Sequence, residues 1–121
     1  MITKAYLRQN KNHVFVFGDN SVRRGYGGAA ILRDEPNTYG FITKKYPNNN
    51  IASFYKPEEY KTVFETQIKR LKKEMSANPD KTYLISKLGA GLANKFNIFE
   101  KVIEPNIRKE LKEFSNIQYL F

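Results

Sequence analysis

The segment Val14-Phe-Val-Phe-Gly-Asp-Asn-Ser-Val-Arg-Arg-Gly-Tyr-Gly-Gly-Ala-Ala-Ile-Leu-Arg33 constrains the fold of this chain more than any other. His13 to Phe17 is a compact apolar run with β-branched and aromatic members, the pattern of a central strand buried on both faces. Gly18 to Gly28 reads as a loop, and Ala29 to about Arg33 as the start of a short helix that Pro36 stops. That order leaves bare backbone N–H groups at a helix start, just past the C-terminal edge of a strand, where phosphate is held. A second loop, Leu88-Gly-Ala-Gly-Leu-Ala93, follows another candidate strand, Thr82 to Ser86, and also leads toward a helix. Two glycine loops at two strand ends predict a cleft for a diphosphate-containing ligand.

The rest of the chain supplies the frame. Residues 3–9 read as a short edge strand with Tyr6 and Leu7 as its apolar members, Tyr39 to Thr43 as a second short strand, and Ile51 to Phe54 as a third. Pro57 suits the first position of a helix, with Glu58 and Glu59 in its first turn. To about Met75 that helix carries an apolar stripe of Tyr60, Val63, Phe64, Ile68, Leu71 and Met75, opposite Lys61, Lys69, Lys72 and Lys73. Ile98 to Phe114 is helical in pattern and kinked or restarted at Pro105, and Ile117 to Leu120 reads as a final strand. Strands alternating with helical segments over 121 residues predict a single α/β domain, with a largely parallel or mixed sheet and helices on both faces. Ligands of such sheets bind at the carboxyl ends of the strands, where both glycine loops lie.

The formal net charge of +9 favours anionic partners: a nucleotide, nucleic acid or an acidic protein surface. Solubility conferred by lysine-rich helix faces explains the same number, and both readings stand. The absence of cysteine excludes disulfides, thiolate metal sites and a cysteine nucleophile. No His, Asp or Glu cluster has metal-ligand spacing, so neither metal nor cofactor is expected. The opening Met1-Ile-Thr-Lys-Ala-Tyr lacks the apolar run of a signal peptide, and no stretch is long enough to span a membrane. A cytoplasmic protein without membrane contact is expected.

Within the first loop, Gly25, Gly27 and Gly28 permit positive φ and close approach of the backbone to a ligand. The spacing is neither that of a Walker A loop nor that of a dinucleotide fingerprint. Asp19 and Asn20 end the buried strand. Asp19 either accepts from a ribose hydroxyl or an amine, or caps the following turn. Arg23 and Arg24 are placed to reach phosphate oxygens or simply to be solvated. Lys44 and Lys45 follow the next strand, and Ser86 and Lys87 precede the second loop. Tyr26 or Phe96 could stack on a base or belong to the core. His13, the only histidine, stands at the end of its strand away from the cleft, so no Ser-His-Asp arrangement forms there. Any catalysis would rest on Asp19, Asn20 and lysines such as Lys44, or on orienting a water against an anomeric carbon.

These residues resemble macro domains, the ADP-ribose-binding modules. Val14-Phe-Val-Phe-Gly-Asp-Asn20 followed by Gly25-Tyr-Gly-Gly-Ala-Ala-Ile31 looks like their strand, spacer and glycine run. Thr82-Tyr-Leu-Ile-Ser-Lys-Leu-Gly-Ala-Gly-Leu92 looks like their later diphosphate loop. The resemblance implies a three-layer macro-like domain with a mixed sheet. Its ligand would be ADP-ribose or a related NAD-derived nucleotide. The ligand would lie against Gly18, Asp19, Asn20, Arg24, Gly25, Tyr26, Gly27, Gly28 and Ala29. On the other side it would meet Ser86, Lys87, Leu88, Gly89, Ala90, Gly91 and Leu92. Asn20 would correspond to the ribose-binding and often catalytic asparagine, while the acidic residue that follows the glycine run in many hydrolytic members is absent. Binding is therefore favoured over efficient hydrolysis, with a lysine-based removal of ADP-ribose through Lys44 or Lys87 as the enzymatic alternative. The chain also resembles small bacterial and phage proteins carrying Gly18-Asp19-Asn20, Gly25 to Ala29, Arg33-Asp-Glu-Pro-Asn37, Thr43-Lys44 and Gly89 to Ala93, a likeness that supplies no activity. A nucleic-acid-binding basic module and a small protein that sequesters a nucleotide signal or blocks an acidic partner remain the competing readings.

Overall fold

A computed structural model describes all of residues 1–121. Its centre is β1, His13–Asn20, flanked by β2, Thr38–Lys44, and β3, Thr82–Ile85, with β4, Ile117–Tyr119, beyond β3. The order is β2-β1-β3-β4 and all three pairings are parallel. The sheet is thus parallel throughout, which corrects the mixed sheet that the macro-domain resemblance implies, because every connection between paired strands is a crossover rather than a hairpin. The only antiparallel contact is an isolated bridge between Lys44 and Phe54. Parallel strands need crossovers, and these cover both faces. The β1-to-β2 crossover carries a 3-10 turn, Gly28–Leu32, whose Ala30 and Leu32 pack with Leu7, Phe15, Phe17 and Leu84 on one face. The β2-to-β3 crossover is the long helix on the other face, where the main core forms. Moving one way over one face and the other way over the opposite face keeps the crossovers of one hand.

The N-terminal segment corrects the expected edge strand. It is a helix, α1, Lys4–Gln9, because the Thr3 hydroxyl caps it by accepting from the Tyr6 amide at 3.0 Å. Six residues with one fully buried side chain, Leu7, are too few to show helical periodicity. The first strand runs three residues past its apolar run, through Gly18, Asp19 and Asn20, because pairing with β2 continues to Asn20 opposite Lys44. Ile51–Ser53 is a 3-10 turn rather than a strand. The Asn48 side chain organises it, accepting from the Asn50 amide at 3.0 Å and from the Ser53 hydroxyl.

The long helix, α2, spans Pro57–Ala77 and begins where Glu59 accepts from the Lys56 amide at 3.0 Å. Tyr60, Phe64, Ile68, Leu71 and Met75 are buried as the stripe predicts, each contributing about 1.5–3 kcal/mol on leaving water. Gln67 joins them, a buried polar residue that periodicity alone misassigns. Its Oε1 accepts from the Ile42 amide at 3.0 Å, and the Tyr60 hydroxyl donates to the Ile42 carbonyl at 2.6 Å. At Ile42 the outer edge of β2 is thereby met by side chains instead of by another strand. The C-terminal pattern divides as Pro105 requires. Phe99–Ile103 forms a π-helical turn in which the Glu104 amide reaches the Phe99 carbonyl at 2.8 Å, and α3 follows at Ile107–Glu110. Val102, Ile103, Ile107 and Leu111 point into the main core.

Candidate functional site

With order β2-β1-β3-β4, the segments leaving β1 and β3 diverge to opposite faces. A crevice therefore opens between their carboxyl ends, the topological switch point. A cleft of about 680 Å³ lies there, within the range of small-molecule sites. The two glycine loops form its walls, in contact where Gly18 approaches the Gly89 amide and where Leu92 lies across Gly27 and Gly28. All the residues expected to touch a ligand line the cleft except Ala90, which packs against the main core. The cleft also takes in Ala30, Thr43, Pro47, Asn49 and Ala93. Thr43, Pro47 and Asn49 come from the end of β2 and the loop after it. The rule that ligands sit beyond the carboxyl ends of strands could have indicated them.

The walls present backbone donors. The amides of Gly25, Tyr26, Gly27, Gly28 and Ala29 make no hydrogen bond within the chain. On the facing loop, neither do those of Lys87, Gly89, Gly91, Leu92 and Ala93. Positive φ at Gly25 (93°), Gly28 (59°) and Gly89 (78°) turns these stretches. Gly91 has nothing within 4 Å of where a Cβ would stand.

Asp19 is held differently from a free catalytic carboxylate. Arg33 grips it with Nη1 on Oδ2 at 2.9 Å and Nη2 on Oδ1 at 2.6 Å. Arg23 Nη1 adds a bond at 3.1 Å, and the Asn20 amide donates to Oδ1 at 2.7 Å. Burial pushes the Asp19 carboxyl up. The hydrogen bonds from Arg33, the Asn20 amide and Arg23, with the Arg33 charge, outweigh it and hold the carboxyl below the ordinary aspartate value. Asp19 thus anchors the first loop, and Arg23 serves that anchor, also donating to the Gly40 carbonyl at 2.7 Å. Gly40 makes room for this cluster. A Cβ there would run into the Asp19 carboxylate and stand 2.8 Å from Arg23 Nη1. Gly40→Ala is expected to cost about 1–3 kcal/mol, read as a lower melting temperature with the same far-ultraviolet circular dichroism.

Asn20 ties the loop as well. Its Oδ1 accepts from the Val22 amide at 3.1 Å, and its Nδ2 donates to the Arg24 carbonyl at 2.6 Å. The second Nδ2 proton has no partner in the chain. Tyr26 is exposed at the rim, its hydroxyl donating to Asp34 at 2.9 Å. Phe96 lies outside the cleft beneath Lys56. His13 sits at the opposite end of β1, its Nδ1 2.6 Å from the Tyr6 hydroxyl.

Lys44 is the unusual cation. It is only 9 % exposed and lines the cleft, yet has no carboxylate partner. Its Nζ rests 4.7 Å from the centroid of the Phe54 ring, and burial pulls its pKa down. Arg24 and Lys87 also line the cleft without ion-pair partners. Asp19 is the only carboxylate in the lining. No group of three or more His, Cys, Asp or Glu side chains could hold a metal, and no helix is long and apolar enough to cross a membrane.

The chain is therefore an α/β domain with an all-parallel sheet, and the cleft at its switch point is lined by amides without partners in the chain and by Arg24, Lys44 and Lys87. The chain belongs to the DUF7831 family, a family of unknown function, whose profile matches residues 1–96. That match contains both glycine loops and the loop after β2, and ends before the π-helical turn. No curated protein and no solved structure matches the chain.

Proposed function

We propose that the cleft binds ADP-ribose or a related NAD-derived nucleotide, with the diphosphate between the two glycine loops. One observation carries the reading: ten amides without partners in the chain belong to cleft-lining residues of the two facing loops, and the same cleft is lined by the unpaired Lys44, a residue only 9 % exposed. Backbone donors around a fixed positive charge are the arrangement that replaces a diphosphate's hydration. Tyr26 supplies an exposed ring for a base, and the free Nδ2 proton of Asn20 a donor for a ribose hydroxyl. The same geometry favours binding over turnover. Asp19 is engaged on both oxygens, and no second carboxylate or histidine lines the cleft to act as general base. A protein that holds or sequesters the nucleotide fits these groups better than a hydrolase.

Isothermal titration calorimetry with ADP-ribose, against AMP and NAD, tests this. One-to-one saturation by ADP-ribose is expected, with no ribose-linkage cleavage on prolonged incubation. Heat with none of the three ligands would overturn the reading. Lys44→Met separates function from folding. It is expected to weaken ADP-ribose by roughly tenfold or more, the worth of one charged hydrogen bond. In the unliganded protein the same change is expected to leave the fold in place with little change in melting temperature, since losing the Nζ contact with the Phe54 ring opposes the gain from removing a partly desolvated charge. Lys44 has a lowered pKa when folded, so the unfolded chain binds its proton more tightly and the charge opposes folding below that pKa.

A further inference from the structure

The charge of this chain is segregated. Residues 20–33, 43–56 and 86–97, at and just beyond the carboxyl ends of β1, β2 and β3, hold eight of the 21 lysines and arginines and no aspartate or glutamate, with Asp19, Asp34, Glu58 and Glu59 at their borders. Arg23 and Arg33 are bound to Asp19, and Lys45 to Glu59 at 3.2 Å. Lys56 and Lys95 remain unpaired, yet neither lines the cleft. Both stand over aromatic rings on the lip beside it. Lys95 Nζ is 5.8 Å from the Phe54 centroid, which Lys44 covers from 4.7 Å, and Lys56 Nζ is 5.8 Å from the Phe96 centroid. Tyr55, beneath Lys45 at 5.3 Å, is half-buried, as is Phe96. A ligand confined to the cleft leaves this lip unused.

We infer that the cleft takes its nucleotide as the end of a single-stranded nucleic acid, whose following phosphates and bases run over the lip formed by Tyr55, Lys56, Lys95 and Phe96. Lys56, exposed and 5.8 Å above Phe96, swings aside to meet a phosphate as an unpaired base stacks on that ring, and Lys95 meets the next phosphate, while Tyr55, between Lys45 and Tyr60, offers its edge. A duplex buries its base faces and lacks this match. The inference rests on the cleft being a nucleotide site and adds the polymer to it.

Fluorescence anisotropy with a labelled, 5′-phosphorylated single-stranded octanucleotide tests it, with the mononucleotide and ADP-ribose as competitors. The octanucleotide is expected to bind roughly tenfold or more tighter than the mononucleotide, since one stacked base alone supplies about that factor. Excess ADP-ribose is expected to displace it. The double substitution Lys56→Gln with Lys95→Gln is expected to lower octanucleotide affinity about tenfold and to flatten the dependence of log K on log salt by about 1.4, at about 0.7 per lost phosphate contact. Calorimetry on that variant should show unchanged ADP-ribose binding. Equal affinity for octanucleotide and mononucleotide, equal affinity for duplex, or indifference to the double substitution would each overturn the inference. So would octanucleotide binding that survives Gly28→Val, which would mark a basic surface unconnected with the cleft. ADP-ribose binding without octanucleotide binding removes this inference alone. Absence of both removes the nucleotide cleft itself.

Discussion

Asp19→Ala lowers the free energy of unfolding by about 3–5 kcal/mol, because it leaves a buried cation without its partner. That is a large share of the roughly 5–15 kcal/mol available to a domain of this kind. The Arg33 side chain is only 14 % exposed and its guanidinium is aligned on both Asp19 oxygens, so the loss falls mainly there. Arg23 is more exposed and adds less, but it holds a left-handed backbone at φ 58° that its bonds to Asp19 and Gly40 stabilise. Urea denaturation measures the effect directly, and its pH dependence identifies the cause. The Asp19 carboxyl titrates below its ordinary value in the folded chain. Its contribution is therefore complete above about pH 4, the unfolded value, and is lost as pH falls through the lower folded value. Asp19→Asn, which keeps the shape but cannot form the ion pair, should remove that acid limb of the stability curve. A variant as stable as the parent at neutral pH would mean that Asp19 does not anchor the loop.

The second large effect is on binding. Gly28→Val is expected to reduce ADP-ribose affinity by more than about a hundredfold while leaving the fold in place. A Cβ at Gly28 meets only Leu92, at 3.5 Å, which is ordinary contact, so packing does not forbid the side chain. The backbone does. At φ 59° a β-branched residue is strained by about 1–3 kcal/mol, and the loop escapes by changing conformation. That movement misaligns the free amides from Gly25 to Ala29, several donors at once, each worth about 1.5–3 kcal/mol toward a charged group. Calorimetry reads the loss and thermal denaturation checks the fold. Unchanged affinity would take the first loop out of the site.

The sequence showed the strands of the sheet because His13 to Phe17 and Thr82 to Ile85 are short apolar runs with no other stable home, and it showed α2 because its stripe repeats over many turns. It concealed α1, whose six residues depend on one hydroxyl cap, and the turn at Ile51–Ser53, which one asparagine side chain organises. Gly40 read as an ordinary strand residue. Its meaning comes from Asp19 on the neighbouring strand, a contact between residues distant in sequence.

The same division runs through the site. The glycine loops were legible because glycine is required locally, wherever backbone must turn through positive φ. By itself the sequence determined the α/β alternation, the two loops and the excess of positive charge. Tertiary structure alone decided that the sheet is parallel throughout and that Asp19 and Arg23 secure the loop. It also decided that Lys44, a mostly buried residue, lines the cleft without a carboxylate partner. Those outcomes depend on which strand lies beside which, and on which cation reaches the one carboxylate first. Such pairings are set by the closing of the whole sheet, and no local pattern of residues encodes them.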